Sequence, residues 1–469
     1  MKKIIKNFSY TIFSNLSTTL VSTLVIFILP KLVNSYEYGL FQIFLFYVSY
    51  AGLAQLGWLD GLYVRYGGSY YEKLEKPLFK GQFVLYSVLQ IIAFFVIIIY
   101  SSLFLTDGYK YIGMAVAFGI LFTNLKGFFQ FILQLTNRII EFAISNIITT
   151  LAYATLMILL LLLGNYNIHG FIWSNIIGQI IALIYGSYKC KSLFFSKGSI
   201  SLNYHEALRN IYVGSKISIA SISAMLILGV VRIGVQTQWS VSTFGKVSLI
   251  LSVCNLLMIF INAASLVLFP LIKRMNNSSD ELLFNSTEEI IMPVLLLLLL
   301  LYYPANLFIG FWLPTYKKSI IFMAFLFPLG LYQGKFEVLT NTFFKAWRME
   351  NELLITNLVA LVSSAIFTLL FAVCMHNLYL TILSITFSMM IRSFITEVYV
   401  KKHLSNHSWL FFIQEFLMVL IFILSNIVFN VYIAFITYTA FLVAFFLLKK
   451  KKIKASLCHL GKIDIEKNM

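Results

Sequence analysis

At 469 residues, the chain is 60% hydrophobic and only 11% charged, with a mean hydropathy of +0.88. A soluble globular protein carries about 25% charged residues, so this chain has too little polar surface to cover itself in water and reads as an integral membrane protein. Its formal net charge of +17 sits mostly in the segments flanking the apolar runs, which marks topology and attraction to a membrane surface rather than a nucleic-acid footprint.

A spanning helix needs about 20 consecutive apolar residues. Fourteen such runs are present, near 8–30, 39–62, 81–105, 110–135, 141–163, 168–188, 211–236, 245–271, 289–313, 319–345, 353–375, 378–400, 409–428 and 431–448. They are long and continuous, not the alternating segments of about 10 residues that a β-barrel would show. The basic start MKKIIKNFSY leads into an apolar run that continues to Pro30 with no small-x-small cleavage site, so it reads as a retained first helix.

Along the chain, span one carries a polar stretch, Ser14, Asn15, Ser17, Thr18 and Thr19. Span two ends with Asp60 shortly before Arg65. Lys126 lies deep in span four, whose end is crowded by Gln130, Gln134, Asn137 and Arg138. Asn175 and Gln179 share one face of span six. Such polar side chains in membranes mostly bond neighbouring helices. Span seven contains AMLILGVVRIGVQTQW, in which Arg232 interrupts an apolar run. Span ten has Pro328, which removes a helix hydrogen bond and predicts a kink, followed by Lys335 and Glu337. Span twelve has Arg392 and Glu397, the latter four residues from Lys401 and so placed for an i,i+4 pair.

The basic residues fix an orientation. With the N-terminus inside, 25 of the 35 Lys and Arg fall on the cytoplasmic side, four (Lys31, Lys110, Lys317 and Lys318) outside, and six within spans. That bias predicts an N-in, C-in protein. The expected fold class is all-α: about 14 transmembrane helices, as two six-helix lobes plus two C-terminal helices. The N-terminal lobe is 1–188 and the cytoplasmic linker 189–210. The C-terminal lobe is 211–400, the last two spans 401–448, and the basic tail 449–469. The halves also echo one another: Tyr38-Gly39 and Phe244-Gly245 each open the helix that follows the first span of a half, the weak internal symmetry of transporters.

An ionised side chain at a helix centre costs about 2.5–3.5 kcal/mol on insertion scales, so each needs a partner or a cavity. The span cations are Lys126, Lys216, Arg232, Lys246, Lys335 and Arg392, and the acids singled out beside them are Asp60, Glu337 and Glu397. The lean towards cations predicts a positively charged lumen for an anionic ligand. Arginine can fork two hydrogen bonds to phosphate, whereas lysine acts as a point charge. Arg232, Lys126, Arg392 and Lys335 are therefore the candidate cavity cations. Asp60, Glu337 and Glu397 are the candidate charge partners or ion-coupling groups, with H+ or Na+ as the coupling cation. Lys216 and Lys246, near helix ends, fit snorkelling better. The histidines stand without an acid–nucleophile constellation, so no catalytic residue is assigned. The phosphate-loop pattern Gly-x-x-x-x-Gly-Lys-Ser/Thr does not occur, and the cysteines (Cys190, Cys254, Cys374, Cys458) show no metal-ligand spacing. No metal or cofactor is expected.

Taken together, Leu29-Pro30, Tyr36-Glu37-Tyr38-Gly39-Leu40-Phe41, Leu56-Gly57 with Arg65-Tyr66, Arg232 with Phe244-Gly245, and Phe269-Pro270 occur in an order and spacing that resembles one family across nearly the whole chain. These are the Wzx-type polysaccharide flippases (O-antigen or capsule repeat units) of the multidrug/oligosaccharidyl-lipid/polysaccharide exporter superfamily. The resemblance departs at Val231, where that family often has an acid before the helix-seven arginine. It implies a non-enzymatic, monomeric flippase of the bacterial cytoplasmic membrane. Its substrate would be a polyprenyl-diphosphate-linked oligosaccharide for surface polysaccharide, moved by alternating access, in contact with polysaccharide assembly proteins and the bilayer but not with nucleic acid. Three rivals remain. A polysaccharide polymerase would want a large outer loop, and none exceeds about ten residues here. A drug exporter of the same superfamily would prefer acidic cavity residues. A lipid II flippase typically has arginines in its first helix, and none occurs between Asn7 and Pro30.

Overall fold

The computed structural model describes residues 2–194, 199–258, 261, 280–404 and 410–465. Among the described residues the chain is helical with no strand. In hydrocarbon there is no water to satisfy backbone N–H and C=O groups, so each spanning segment must satisfy them within itself, and the α-helix does so. Contacts divide the chain into two compact units, Met1–Ile222 and Ser223–Met469.

The first unit contains α1 (Lys2–Leu32), α2 (Ser35–Ser49), α3 (Trp58–Tyr66), α4 (Lys76–Phe104), α5 (Asp107–Leu135), α6 (Ile139–Leu162), α7 (Ile168–Lys189), the short α8 (Lys191–Phe194) and the beginning of α9 (Tyr204–Gln238). Helix α5 packs against α2, α3, α4, α6 and α7. Half of its apolar window is buried, against 11% for α4 and for α6. It is the central post of the unit, and α4 and α6 turn most of their apolar surface outward.

The second predicted span is broken. A 3-10 turn, Ala51–Gln55, follows α2, and the chain then bends by 57° into α3. Leu56 (φ 53°) and Gly57 (φ 79°) make the corner in the left-handed region, which favours glycine. Gly57 has a second reason to lack a side chain, because a Cβ there would meet the backbone of Gly214 and Ser215 on α9. One turn on, a Cβ at Gly61 would run into the Asn210 carbonyl. Helices α3 and α9 thus touch backbone to backbone. Arg65 locks the contact by donating to Glu206 and Asn210, with Tyr66 donating to Glu206 at 2.7 Å.

The second unit holds the rest of α9, then α10 (Val241–Asn255), α11 (Asp280–Leu298), α12 (Tyr302–Trp312), α13 (Ile320–Lys335), α14 (Asn341–Ala346), α15 (Glu350–Thr368), α16 (Leu378–His403), α17 (Leu410–Val428) and α18 (Val431–Ile465). Its core is α13, which packs against α10, α11, α12, α16 and α17. In the span Pro314–Ala346, 89% of the apolar window is buried. The helix runs on through Pro328, and the hydrogen-bond pattern changes only at Phe336–Thr340, which is π-helical. A second π-helical stretch, Leu369–Cys374, ends the span that begins with α15.

Among the described residues, eleven helices are long and apolar enough to cross a bilayer, and α2 with α3 makes a twelfth if the bent pair is one span. Ser17–Leu32 and Val241–Asn255 are shorter apolar pieces at predicted spans one and eight. Most of 259–279, including Phe269-Pro270, lies outside the described residues. The two aromatic–glycine pairs sit in comparable places. Asn34 caps α2 by accepting from the amides of Tyr36 and Glu37, and Ser240 caps α10 by accepting from that of Thr243. Each capped helix is 15 residues long with a buried aromatic–glycine pair in its first turns.

Candidate functional site

The strongest concentration of buried charge is in the second unit, at the end of its most buried helix. Lys335, the last residue of α13, is 0% exposed. Its ammonium lies 2.6 Å from Glu397 of α16 and 2.6 Å from Glu415 of α17. Glu397 is shared, since Lys401, one turn along α16, also pairs with it. Lys401 in turn faces Glu288 of α11 at 3.6 Å. All five side chains are at most 1% exposed. Four helices are thereby joined through one dry ionic cluster of three carboxylates and two ammoniums. Desolvating such charges costs several kcal/mol per ion, which mutual attraction repays only with close geometry. Oε1 of Glu288 and Oε1 of Glu415 are buried without a hydrogen bond among the described residues.

The i,i+4 pairing of Glu397 with Lys401 expected from the sequence is present. Lys335 and Glu337, two apart, do face different partners: Glu337 accepts from Asn341 at 2.8 Å. The sequence reading passed over Glu415 and Glu288. Glu415 lies inside predicted span thirteen and Glu288 one residue before span nine. The signal that finds them is the one that found Lys335, a charge in an apolar run. With them included, the buried charges around Lys335 lean acidic rather than cationic.

The two arginines are held differently. Arg392 is 5% exposed, donates from Nε to Asn357 at 2.9 Å and stands 3.6 Å over the Phe336 ring, the first residue of the π-helical stretch. Arg232 is only partly buried. It donates to Ser248 at 2.9 Å and lies 5.2 Å over Phe244, so the arginine and the aromatic–glycine pair that stood out together in the sequence are in contact. A ring face supports a guanidinium without neutralising it.

In the first unit the buried polar groups are mostly neutral. Asn124 of α5 donates to the Ala51 carbonyl (2.9 Å) and Gln90 (2.7 Å) and accepts from Gln55 (2.8 Å). Gln130 donates to Ser145 (3.1 Å) and Asn146 (2.8 Å) of α6, so the polar crowd at the end of span four bonds helices together, as expected. Trp58 and Asn210 both donate to Gln82. Lys126, on the same helix as Asn124 and Gln130, is 9% exposed. Among the described residues no acid lies within ion-pair distance of it. Asp60 is partly buried in the first turn of α3, and Arg65 pairs with Glu206 instead.

His169 packs edge-on against Tyr111, His376 stacks on Trp239 and His403 lies against Trp347. No group of His, Cys, Asp and Glu able to hold a metal ion occurs among the described residues. Cys190, Cys254 and Cys374 are free thiols.

No protein-family model and no curated protein sequence matches the chain. Solved structures do. The lipid II flippase MurJ, in an inward closed conformation, superposes with a TM-score of 0.67 at 13% identity, over 97% of this chain and 100% of that one. A multidrug-resistance MATE-family transporter of the MOP superfamily, inward-facing, gives 0.60 at 14% identity, over 84% of this chain and 94% of that one. An all-helical multi-pass chain, two compact units and these superpositions lead to one statement: the protein has the fold of the MOP-superfamily transporters.

Proposed function

We propose that the protein flips polyprenyl-diphosphate-linked oligosaccharide repeat units from the cytoplasmic to the outer leaflet of a bacterial cytoplasmic membrane, for surface polysaccharide synthesis. The observation that carries this reading is the fold likeness to a lipid flippase over 97% of this chain. The motif order around Arg232 and Phe244-Gly245 supports the oligosaccharide branch. In this reading the chain is N-in, C-in and monomeric, and it works by alternating access through a cationic cavity. Arg232, Arg392 and Lys126 meet the diphosphate and sugars while the polyprenyl tail stays in lipid. Arg232 suits the phosphate role, because Ser248 and Phe244 orient its fork.

The chain has no phosphate loop for ATP, so the work comes from an ion gradient, the membrane potential or substrate supply. The Lys335 cluster suits the coupling role. Three carboxylates against two ammoniums leave one negative charge that a proton can neutralise, and a change there is felt by four helices at once. Glu397 is shared by both lysines, so the proton goes to Glu288 or Glu415, each of which faces only one.

Deleting the gene tests the assignment: the lipid-linked oligosaccharide accumulates on the cytoplasmic face and surface polysaccharide is lost. No accumulation, with polysaccharide unchanged, overturns it. Complementation with Arg232→Ala fails and with Arg232→Lys is intermediate, at normal expression. The likeness to MurJ favours a second reading, lipid II as the substrate. Rescue of a lipid II flippase-deficient strain by this chain would establish it, whereas a span one without arginine between Asn7 and Pro30 predicts no rescue.

A further inference from the structure

The first unit has an open pocket of about 470 Å³, lined by Tyr71, Glu72, Arg138, Tyr188, Lys189, Lys191 and Ser192. That volume lies within the range of small-molecule sites, about 300–1,000 Å³. It forms where the α3–α4 connection, the α5–α6 turn and the end of α7 come together, so three separate loops build one basic rim.

Its cations are set in place. Arg138 lies 4.7 Å over the Tyr71 ring. It donates from Nε and Nη2 to Glu141 and from Nη1 to the Lys189 carbonyl. A guanidinium has five N–H groups, so two remain for a ligand on a fork that is already oriented. Lys191 stands 4.7 Å over Tyr188 and Lys189 5.7 Å over Tyr185. Neither lysine has an acid within ion-pair distance among the described residues. Glu72 is the one acid in the lining.

What sits beside the pocket identifies its occupant. Along α7, Ile177, Ile181, Ile184 and Tyr188 are 38%, 40%, 61% and 60% exposed. Their spacing of four, three and four residues puts them on one helix face. This apolar track covers the second half of α7 and ends at the basic rim. A soluble anion has no use for the track, and an acyl chain alone has none for the rim. Basic pockets between transmembrane helices at a membrane surface are suited to phosphate headgroups.

We propose that this pocket binds an anionic phospholipid, its headgroup phosphate on Arg138, Lys189 and Lys191 and an acyl chain along Ile177, Ile181 and Ile184. The lipid holds the end of α7 against the α5–α6 turn, and it does so whatever the transported substrate is.

The test is native mass spectrometry of the full chain titrated with phosphatidylglycerol or phosphatidylcholine, for the unaltered protein and for Lys189→Gln/Lys191→Gln. This pair spares Arg138, whose loss would free the Lys189 carbonyl. The unaltered protein binds phosphatidylglycerol more tightly than phosphatidylcholine, and the double variant loses about thirty-fold in phosphatidylglycerol affinity with phosphatidylcholine unchanged. Equal affinity for the two lipids, or a double variant with undiminished phosphatidylglycerol binding, overturns the proposal. Inorganic phosphate that displaces the lipid at equal concentration also overturns it, in favour of a free-anion site. Ile184→Ser weakens the intact lipid but leaves soluble glycerol phosphate unaffected; no weakening removes the acyl-chain track.

Discussion

Two buried lysines divide the molecule. Lys335, in the core of the second unit, is pressed against two carboxylates and belongs to a cluster of five charges. Lys126, on the central helix of the first unit, is buried with no acid within ion-pair distance among the described residues. Both interrupt long apolar runs, and the sequence presents them as equals. The structure separates them: one charge is satisfied internally and holds helices together, while the other is kept in the interior without an ion-pair partner among the described residues. The second situation is the one that a bound anion would relieve, so buried charge alone does not identify a ligand site. The partner count does.

The largest expected effect breaks the satisfied side. Lys335→Met strands Glu415 without a counter-charge, leaves Glu397 with Lys401 alone, and costs about 3–5 kcal/mol, read as a large fall in thermal midpoint in detergent. Lys335→Met/Glu415→Leu recovers part of the loss, and if it does not, the cluster is not a coupled unit. Lys126→Met does the opposite. Removing an unpaired buried charge leaves stability equal or raised, while transport in reconstituted vesicles falls by about tenfold or more, the worth of one charged hydrogen bond. Unchanged transport would assign Lys126 no ligand contact. Smaller still is Asn124→Leu, which removes neutral bonds to Gln55, Gln90 and Ala51. At about 0.6 kcal/mol per interhelical bond, it costs about 1–2 kcal/mol by the same melting assay.

The smallest effect is chemical. Burial pushes the Cys190 thiol, just past the end of α7, up to about 12. A raised thiol pKa leaves almost no thiolate at pH 8, and reactivity grows only as the pH climbs towards that value. In a Cys458→Ser background, maleimide at pH 8 therefore labels exposed Cys374 and spares Cys190. Labelling of Cys190 in the native protein would mean that the α7 end opens.

Most of the architecture was legible because the bilayer imposes a length rule on apolar runs, and eleven of the expected spans are helical segments long and apolar enough to cross it, some continuing through 3-10 or π turns. The corner in span two was harder to read. Leu56-Gly57 stood out as a motif, but its geometry depends on the approach of Gly214 from a segment more than 150 residues away, and hydropathy is blind to such contacts. The candidate site was half legible. Glu397 and Lys401 are four apart on one helix, and their pairing follows from helix geometry. Lys335 with Glu415 joins helices 80 residues apart in the chain, which no local pattern encodes. Arg232 and Phe244 lie between these cases, separated by a single turn of chain between consecutive helices.

Lys335 is followed at once by the π-helical stretch Phe336–Thr340. A π turn closes its bonds from i to i+5 rather than i to i+4 and so holds one surplus residue, which rotates everything beyond it by about 100° relative to a straight α-helix. The stretch therefore acts as a phase shifter between Lys335 and Thr340, whose hydroxyl meets Thr396 at 3.1 Å. Deleting one residue within 336–340 would heal the helix and swing Thr340 and Asn341 away from their partners, with Lys335 and its two glutamates left in place. A surplus residue is also one that can migrate along a helix turn by turn, which lets the two ends of the span change their relative rotation without any break in the chain of backbone bonds between them.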